Sequence, residues 1–252
     1  MTGQQWQYFC NFKDEFKNKV EEWKKAAPEL TELQRQAAIL AKTPEYPFET
    51  SVVYNRALDE VTPDDEIKLI VIGDNPGKDE QLAKNNRYLV GQAGKIAEGY
   101  FRKNPELGVD FRKNVIILNK TPIHSAKTLQ LNTIAKQGGE KIASLIKESQ
   151  LWMAEKTAAL HAALGSELWL VGYSELKPKK IFCPYRDQLQ AACSSSPEAW
   201  ARVYVFQHFS MNRFTIDLAD YVKTGGKAKE KNSLEENIHE LGILHRKEIF
   251  GA

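Results

Sequence analysis

Four short apolar runs constrain this chain more than any other feature: Ile67 to Ile72, Asn114 to Leu118, Leu168 to Val171 and Val203 to Phe206. Each is too short for a buried helix and rich in β-branched or aromatic residues, so each is expected to form a buried strand. Between them lie segments of helical character, Gly94 to Arg102, Asn132 to Leu164 and Arg186 to Cys193. Strand and helix in alternation imply parallel strands joined by right-handed crossovers. The expected fold is α/β, a three-layer α/β/α sandwich around a central, mostly parallel four-stranded sheet.

Ahead of the first strand, Phe9, Phe12, Phe16, Val20 and Trp23 recur at spacings of three and four, the period of one buried helical face. Pro28 is expected to divide the stretch from Gln4 to Lys42 into two helices, and Pro44, Pro47 and Pro63 to keep 43–65 irregular, as a connector or lid. Past the last strand, Met211 to Val222 and Leu234 to Ile249 read as helices, and 223–233 (KTGGKAKEKNS) reads as a flexible basic loop. At 252 residues the chain is expected to be one domain, with 1–65 as its helical N-terminal extension and connector.

Apolar residues at 42% and charged residues at 27% match ordinary globular usage, which excludes disordered, collagen-like and disulfide-scaffold classes. The formal charge of +2 is nearly balanced, so any nucleic-acid surface has to be a local basic patch. Cys10, Cys183 and Cys193 lie far apart with no CxxC pair, which fits reduced thiols. No apolar run is long enough to span a bilayer, and the start MTGQQWQYFCNFKDEFK lacks a basic region followed by an apolar one. No membrane partner is expected, and the expected location is cytoplasmic.

The most informative stretch is IKLIVIGDNPGKDEQ, where a buried strand ends in Gly73, Asp74, Asn75, Pro76 and Gly77. In an open parallel sheet, the loop leaving a strand's carboxyl end is where ligands bind. The two glycines permit tight backbone geometry, and Pro76 biases Asn75 toward an extended conformation. The same residue types also suit a plain turn. Neither a GK[ST] phosphate loop nor a GxGxxG dinucleotide pattern is present.

On these residues the sequence resembles the uracil-DNA glycosylase superfamily, whose first motif is a strand followed by G-x-[DN]-P or, in the thermophile-type branch, GEAPG. RYLVGQAG (Arg87 to Gly94) is similar to that branch's RPFVGRAG, and VIILNK (Val115 to Lys120) to its VYITNV strand with a uracil-reading Asn. VYVFQHFS is similar to the late strand followed by HPS, with Phe209 in place of the proline. The matches run in family order from Gly73 to Ser210. The resemblance implies a DNA glycosylase-type hydrolase of base excision repair that cleaves the N-glycosidic bond of uracil or a related deaminated base. Its partner would be DNA, with no metal, no other cofactor and no obligatory protein partner. That branch also carries four cysteines for an iron-sulfur cluster, which three scattered ones cannot reproduce.

The resemblance also implies roles, because a target base must leave the stack, enter a pocket and be read by its pairing edge. Asn119 would read that edge, its carboxamide both donating and accepting as uracil requires. His208 would hydrogen-bond the base oxygen that becomes anionic. Asp74 and Asn75 would hold the attacking water and offset positive charge on the sugar. Which of them holds the water stays open: Asn75 matches the water-orienting Asn of the mismatch-specific branch, and Asp74 aligns with the acidic residue of GEAPG. Gly73, Pro76, Gly77, Tyr88 and Leu89 would complete the base pocket. Leu89 stands where the thermophile-type branch stacks a Phe, leaving Tyr88 to supply an aromatic face. Lys78, Lys120, His124, Lys127, Ser210 and Arg213, with Lys84 and Arg87, would meet the DNA backbone. Two alternatives stay open, the first favoured by the altered HPS and Leu89 and the second suited by the modest basic surface. One is a catalytically silent protein of this fold that binds nucleic acid or a base-like small molecule; the other is a small-nucleoside hydrolase.

Overall fold

The computed structural model of the chain describes residues 1–251. Thr2 opens α1 (Gly3–Ala26) through a capping box with Gln5, and Phe9, Phe12, Phe16, Val20 and Trp23 all turn inward. After the break at Pro28 comes α2 (Leu30–Leu40). The following connector holds a 3₁₀ turn at Arg56–Glu60 and one bridge, between Val52 and Ile123. Residues 43–51 are irregular and exposed or half-buried, while Val52 and Val53 are fully buried and anchor the connector in the core.

Beyond it come β1 (Leu69–Gly73), α3 (Gln92–Lys103), β2 (Val115–Asn119), α4 (Gln130–Gln137), α5 (Gly139–Leu164) and β3 (Glu167–Val171). The chain continues through α6 (Cys183–Cys193), α7 (Pro197–Ala201), β4 (Val203–Phe206), α8 (Arg213–Glu230) and α9 (Leu234–Phe250). All four strands are parallel, in the order β2-β1-β3-β4. β1, β2 and β4 are buried at every position, which is why they read as unbroken apolar runs rather than as an alternation.

Helices cover both faces, making the three-layer α/β/α sandwich. Trp169 of β3 meets Phe101 of α3 at 5.6 Å and Phe214 of α8 at 5.8 Å, and Gly242 of α9 lies against Tyr204 and Phe206 of β4. On the other side α1, α2, α4, α5 and α6 pack on one another. The N-terminal helices therefore belong to a main layer, since the α1 aromatics Phe12 and Phe16 stack on Trp152 of α5. No helix among the described residues is long and apolar enough to cross a membrane.

Three elements differ from the expectation. The 132–164 stretch is two helices, because Gly139 takes a left-handed φ of 66° between α4 and α5. The 223–233 stretch, expected as a basic loop, is helical through Glu230, with a bend at Gly226 (φ 59°, ψ -154°). Tertiary contacts hold it there: Lys229 pairs with Glu240, and Asn237 donates to the Lys229 carbonyl at 3.0 Å. Ser233 then opens α9 with its own capping box. The short α7 was not anticipated.

The order β2-β1-β3-β4 has a functional consequence, because the chain leaves β1 for a neighbour on one side and later places β3 on the other. Between the carboxyl ends of β1 and β3 lies the switch point, where parallel sheets bind ligands.

The α9 layer supplies a test of the packing. A Cβ on Gly242 would lie 2.7 Å from both Phe206 Cζ and Tyr204 Cβ, atoms that cannot yield without moving the sheet. Gly242→Ala should destabilise the protein by about 1–3 kcal/mol, read as a lower midpoint in urea unfolding at unchanged slope.

Candidate active site

A cleft of about 1010 Å³ opens at the switch point, over the carboxyl ends of the strands. Gly73, Asp74, Asn75, Gly77, Lys78, Leu89, Asn119, Lys127, His208, Ser210 and Arg213 all line it, so most of the expected residues meet although they span the sequence. Glu80, Thr128, Gly172, Glu175 and Gln207 line it too and were not singled out from the sequence.

At the floor, Gly73 of β1 faces Asn119 of β2 in register. A Cβ on Gly73 would lie 2.5 Å from Asn119 Oδ1, so only glycine lets this carboxamide settle over the strand end. Asn119 is 2% exposed, yet its Nδ2 has no hydrogen-bond partner. A buried polar group left unpaired costs about 1–3 kcal/mol, so the carboxamide is poised for a ligand.

His208 follows β4. Its Nδ1 accepts from the Ser210 backbone N–H at 3.1 Å and lies 2.8 Å from the Ser210 hydroxyl. A backbone amide only donates, so the neutral ring carries its proton on Nε2. Burial lowers the pKa of His208; the Asp74 charge opposes that effect and the Lys120 charge adds to it. The result is a neutral imidazole that donates.

Asp74 is locked on both oxygens. Its Oδ1 lies 2.5 Å from Lys120 Nζ, and its Oδ2 accepts from the Thr128 hydroxyl at 3.2 Å. Gly172, at φ 83° after β3, leaves the necessary room, since a Cβ there would meet Asp74 Oδ1 at 2.5 Å. Asn75 donates its Nδ2 to the Ser125 hydroxyl at 2.9 Å and the Ser125 carbonyl at 3.1 Å. Its Oδ1 is thereby the carboxamide's remaining acceptor.

Six expected site residues do not line the cleft. Lys120, expected on a basic rim, is fully buried beneath the floor, where it also donates to the Val171 carbonyl at 2.6 Å. His124, expected to meet DNA phosphate, is buried: Nδ1 donates to the Pro76 carbonyl at 2.8 Å and Nε2 accepts from Tyr46 at 3.0 Å. Burial lowers its pKa to about 4. Pro76 is itself buried on that strut. Tyr88 is fully buried, with its hydroxyl on the Val53 carbonyl at 2.5 Å, and cannot supply a stacking face. Leu89 remains the apolar wall there, held at φ 50°. Gly94 makes that turn possible, because a Cβ on it would strike the Leu89 carbonyl oxygen at 1.6 Å. Arg87 pairs with both Glu60 oxygens at 2.9 and 2.8 Å, and Lys84 lines a separate depression beside it. The basic rim reduces to Lys78, Lys127 and Arg213.

Among the unanticipated residues, Gly172 carried a legible signal, a glycine directly after a predicted strand. Glu80 carried none, standing in a polar run that reads as solvated. It accepts from Gly77 N–H at 3.1 Å and Leu89 N–H at 3.0 Å, tying the two loops that wall the cleft. Burial pushes its pKa up to about 7.

At the opposite, amino end of the sheet, Glu167, Glu235 and His239 bring three potential metal-ligand atoms within 4.8 Å. Two of these groups already satisfy each other: His239 Nε2 lies 2.7 Å from Glu167 Oε1, and Trp169 donates to Glu167 Oε2 at 2.9 Å. That hydrogen bond to Glu167 raises the His239 pKa, and the contact joins α9 to β3. No family model, curated protein or solved structure matches the chain, and the chemistry of the cleft therefore rests on its residues and geometry.

Glu80 and His124 act on stability with opposite signs. A histidine whose folded pKa is depressed from 6.5 to about 4 contributes stability present above pH 6.5 and lost as pH falls through 4. A carboxyl raised from 4.5 to about 7 does the reverse, its cost disappearing as pH falls through 7 toward 4.5. Glu80→Gln removes that compensation. Between pH 7 and pH 5 the variant should lose about 2 kcal/mol more stability than wild type in urea unfolding.

Proposed function

We propose that this chain is a DNA glycosylase-type hydrolase that removes uracil or a related deaminated base from DNA, as its resemblance to the uracil-DNA glycosylase superfamily implies. The observation that carries the reading is the unpaired, buried Asn119 carboxamide at the cleft floor, with Asn75, Asp74 and His208 around it. A base drawn into the cleft would satisfy Asn119 through its pairing edge. Cytosine presents the opposite donor and acceptor order and would leave the amide mismatched.

Each remaining group answers one requirement of N-glycosidic cleavage. As the bond breaks, the base oxygen gains negative charge and His208 Nε2–H donates to it, the preorganised donor that such a step needs. The sugar gains positive charge, which the Asp74 carboxylate offsets. Each Asp74 oxygen already accepts one hydrogen bond, whereas the Asn75 contacts engage only its Nδ2, which favours Asn75 Oδ1 as the group that orients the water. At the rim, Met211 and Asn212 hold left-handed φ values of 56° and 55°, a strained turn that leaves Met211 72% exposed. An exposed apolar side chain there can fill the gap left when a base leaves the stack. Lys78, Lys127 and Arg213 would meet the phosphates on either side.

A second reading draws on the cleft's charge, since Asp74, Asp79, Glu80 and Glu175 stand among its lining residues against those three cations. A nearly balanced wall suits a small uncharged nucleoside.

Release of free uracil from single- and double-stranded oligonucleotides tests the reading. Wild type should release it, and His208→Ala and Asn119→Ala should each slow release by about 10²–10³-fold. Binding should fall log-linearly with salt, whereas a nucleoside hydrolase would scarcely respond. No release from uracil, hypoxanthine or xanthine substrates with protein in excess would exclude DNA glycosylase activity and leave the cleft a binding site.

A further inference from the structure

Beneath the cleft floor lies a charge that the hydrolytic scheme above does not use. The Lys120 ammonium is fully buried and meets three acceptors: Asp74 Oδ1 at 2.5 Å, the Val171 carbonyl at 2.6 Å and, more loosely, the Gly73 carbonyl at 3.4 Å. The ring of Phe182 closes the remaining side at 5.2 Å. These acceptors belong to the ends of β1 and β3, while Lys120 itself directly follows β2. Replacing the Lys120–Asp74 pair as a whole by apolar groups would remove the desolvation cost, and such replacements are often neutral or stabilising, whereas removing Lys120 alone leaves the Asp74 carboxylate and the Val171 carbonyl without their donor. Stability alone therefore does not account for the ammonium, whereas its geometry does two things. It fixes the direction of the Asp74 carboxylate, and it sets a positive charge behind His208.

We propose that Lys120 is a positioning residue of this site, its buried ammonium holding the Asp74 carboxylate at the junction of three strand ends beside His208 so that the charged floor is formed before a ligand enters. The proposal rests on the hydrolase reading for its catalytic meaning. Lys120 is absent from the cleft lining, so it acts through Asp74 and His208 and does not touch the substrate. Asp74 after β1 and Lys120 after β2 are the charges that act on His208; Glu175 in the 3₁₀ turn after β3, Arg213 at the start of α8, Lys78, Asp79 and Glu80 after β1 and Lys127 after β2 also line the cleft with it. Asp74 and Lys120 pull the His208 titration in opposite directions.

The test uses the full chain with Lys120→Met and Asp74→Asn, each checked for folding by circular dichroism. The His208 ring is followed by ¹⁵N NMR against pH, and uracil release is followed on a single-stranded oligonucleotide. Lys120→Met should raise the His208 titration midpoint and Asp74→Asn should lower it, a pair of opposite shifts that a merely structural lysine would not produce. With wild type active, Lys120→Met should also lower kcat at least 10-fold, the loss falling on kcat more than on KM because Lys120 does not touch the substrate. An unmoved His208 midpoint in folded Lys120→Met, or wild-type kcat in that variant, overturns the proposal. Should Lys120→Met fail to fold, Asp74→Asn decides the matter alone, an unmoved midpoint overturning it. Should wild type release no uracil while the midpoints move as stated, the placement of Lys120 stands and the hydrolase reading falls.

Discussion

The buried contact between Lys120 and Asp74 is the constraint around which the strand ends are arranged. An ammonium taken out of water is tolerated only when its donors are satisfied, and here the acceptors come from residues 46 to 51 positions away in sequence. Satisfying them requires β1, β2 and β3 to end at one level. That levelling places Gly73, Asn119 and Gly172 side by side, and the two glycines then allow the side chains of Asn119 and Asp74 to lie where any Cβ would collide. The cleft floor is in this sense one packing solution rather than a collection of independent residues.

A second shell of buried polar contacts holds the walls. His124 supports the loop after β1 through the Pro76 carbonyl and is itself held by Tyr46 from the connector. Gln34 of α2 donates to the carbonyls of Ser51 and His124, so the N-terminal layer reaches the connector and the loop after β2 that carries His124. Glu80 joins the loop after β1 to the turn at Leu89. Each of these side chains is polar, buried and satisfied, the condition under which such networks confer rigidity. At the cleft, Asn119 Nδ2 on the floor and Glu175 Oε2 are the exceptions, both buried without a partner, and they point to where a ligand binds.

How far the site was legible follows from what each signal depends on. Asp74, Asn75, Asn119 and His208 were found because they directly follow or end apolar runs, and strand ends in a parallel sheet converge by topology. Lys120 and His124 were placed wrongly for a common reason: a lysine or histidine in a polar connection reads as solvated, and only the position of distant carbonyls makes burial affordable. Tyr88 was misplaced because the aromatic ring and hydroxyl suit a pocket wall and a core equally well; the Val53 carbonyl decides between them. The helical turn around Lys227 and Lys229 was missed because its stabilising partners, Glu240 and Asn237, lie on α9.

The sequence alone held the layer architecture and the strands, because helical spacings of three and four and short unbroken apolar runs are local consequences of backbone geometry. It also determined that the loops after β1, β2 and β4 would share one end of the sheet. Only the tertiary structure decided the order β2-β1-β3-β4, the depth of Lys120, the tautomer of His208 and the unpaired state of Asn119. Those depend on contacts between segments far apart in the chain, whose hydrogen-bond partners and desolvation do not exist until the sheet has closed around them.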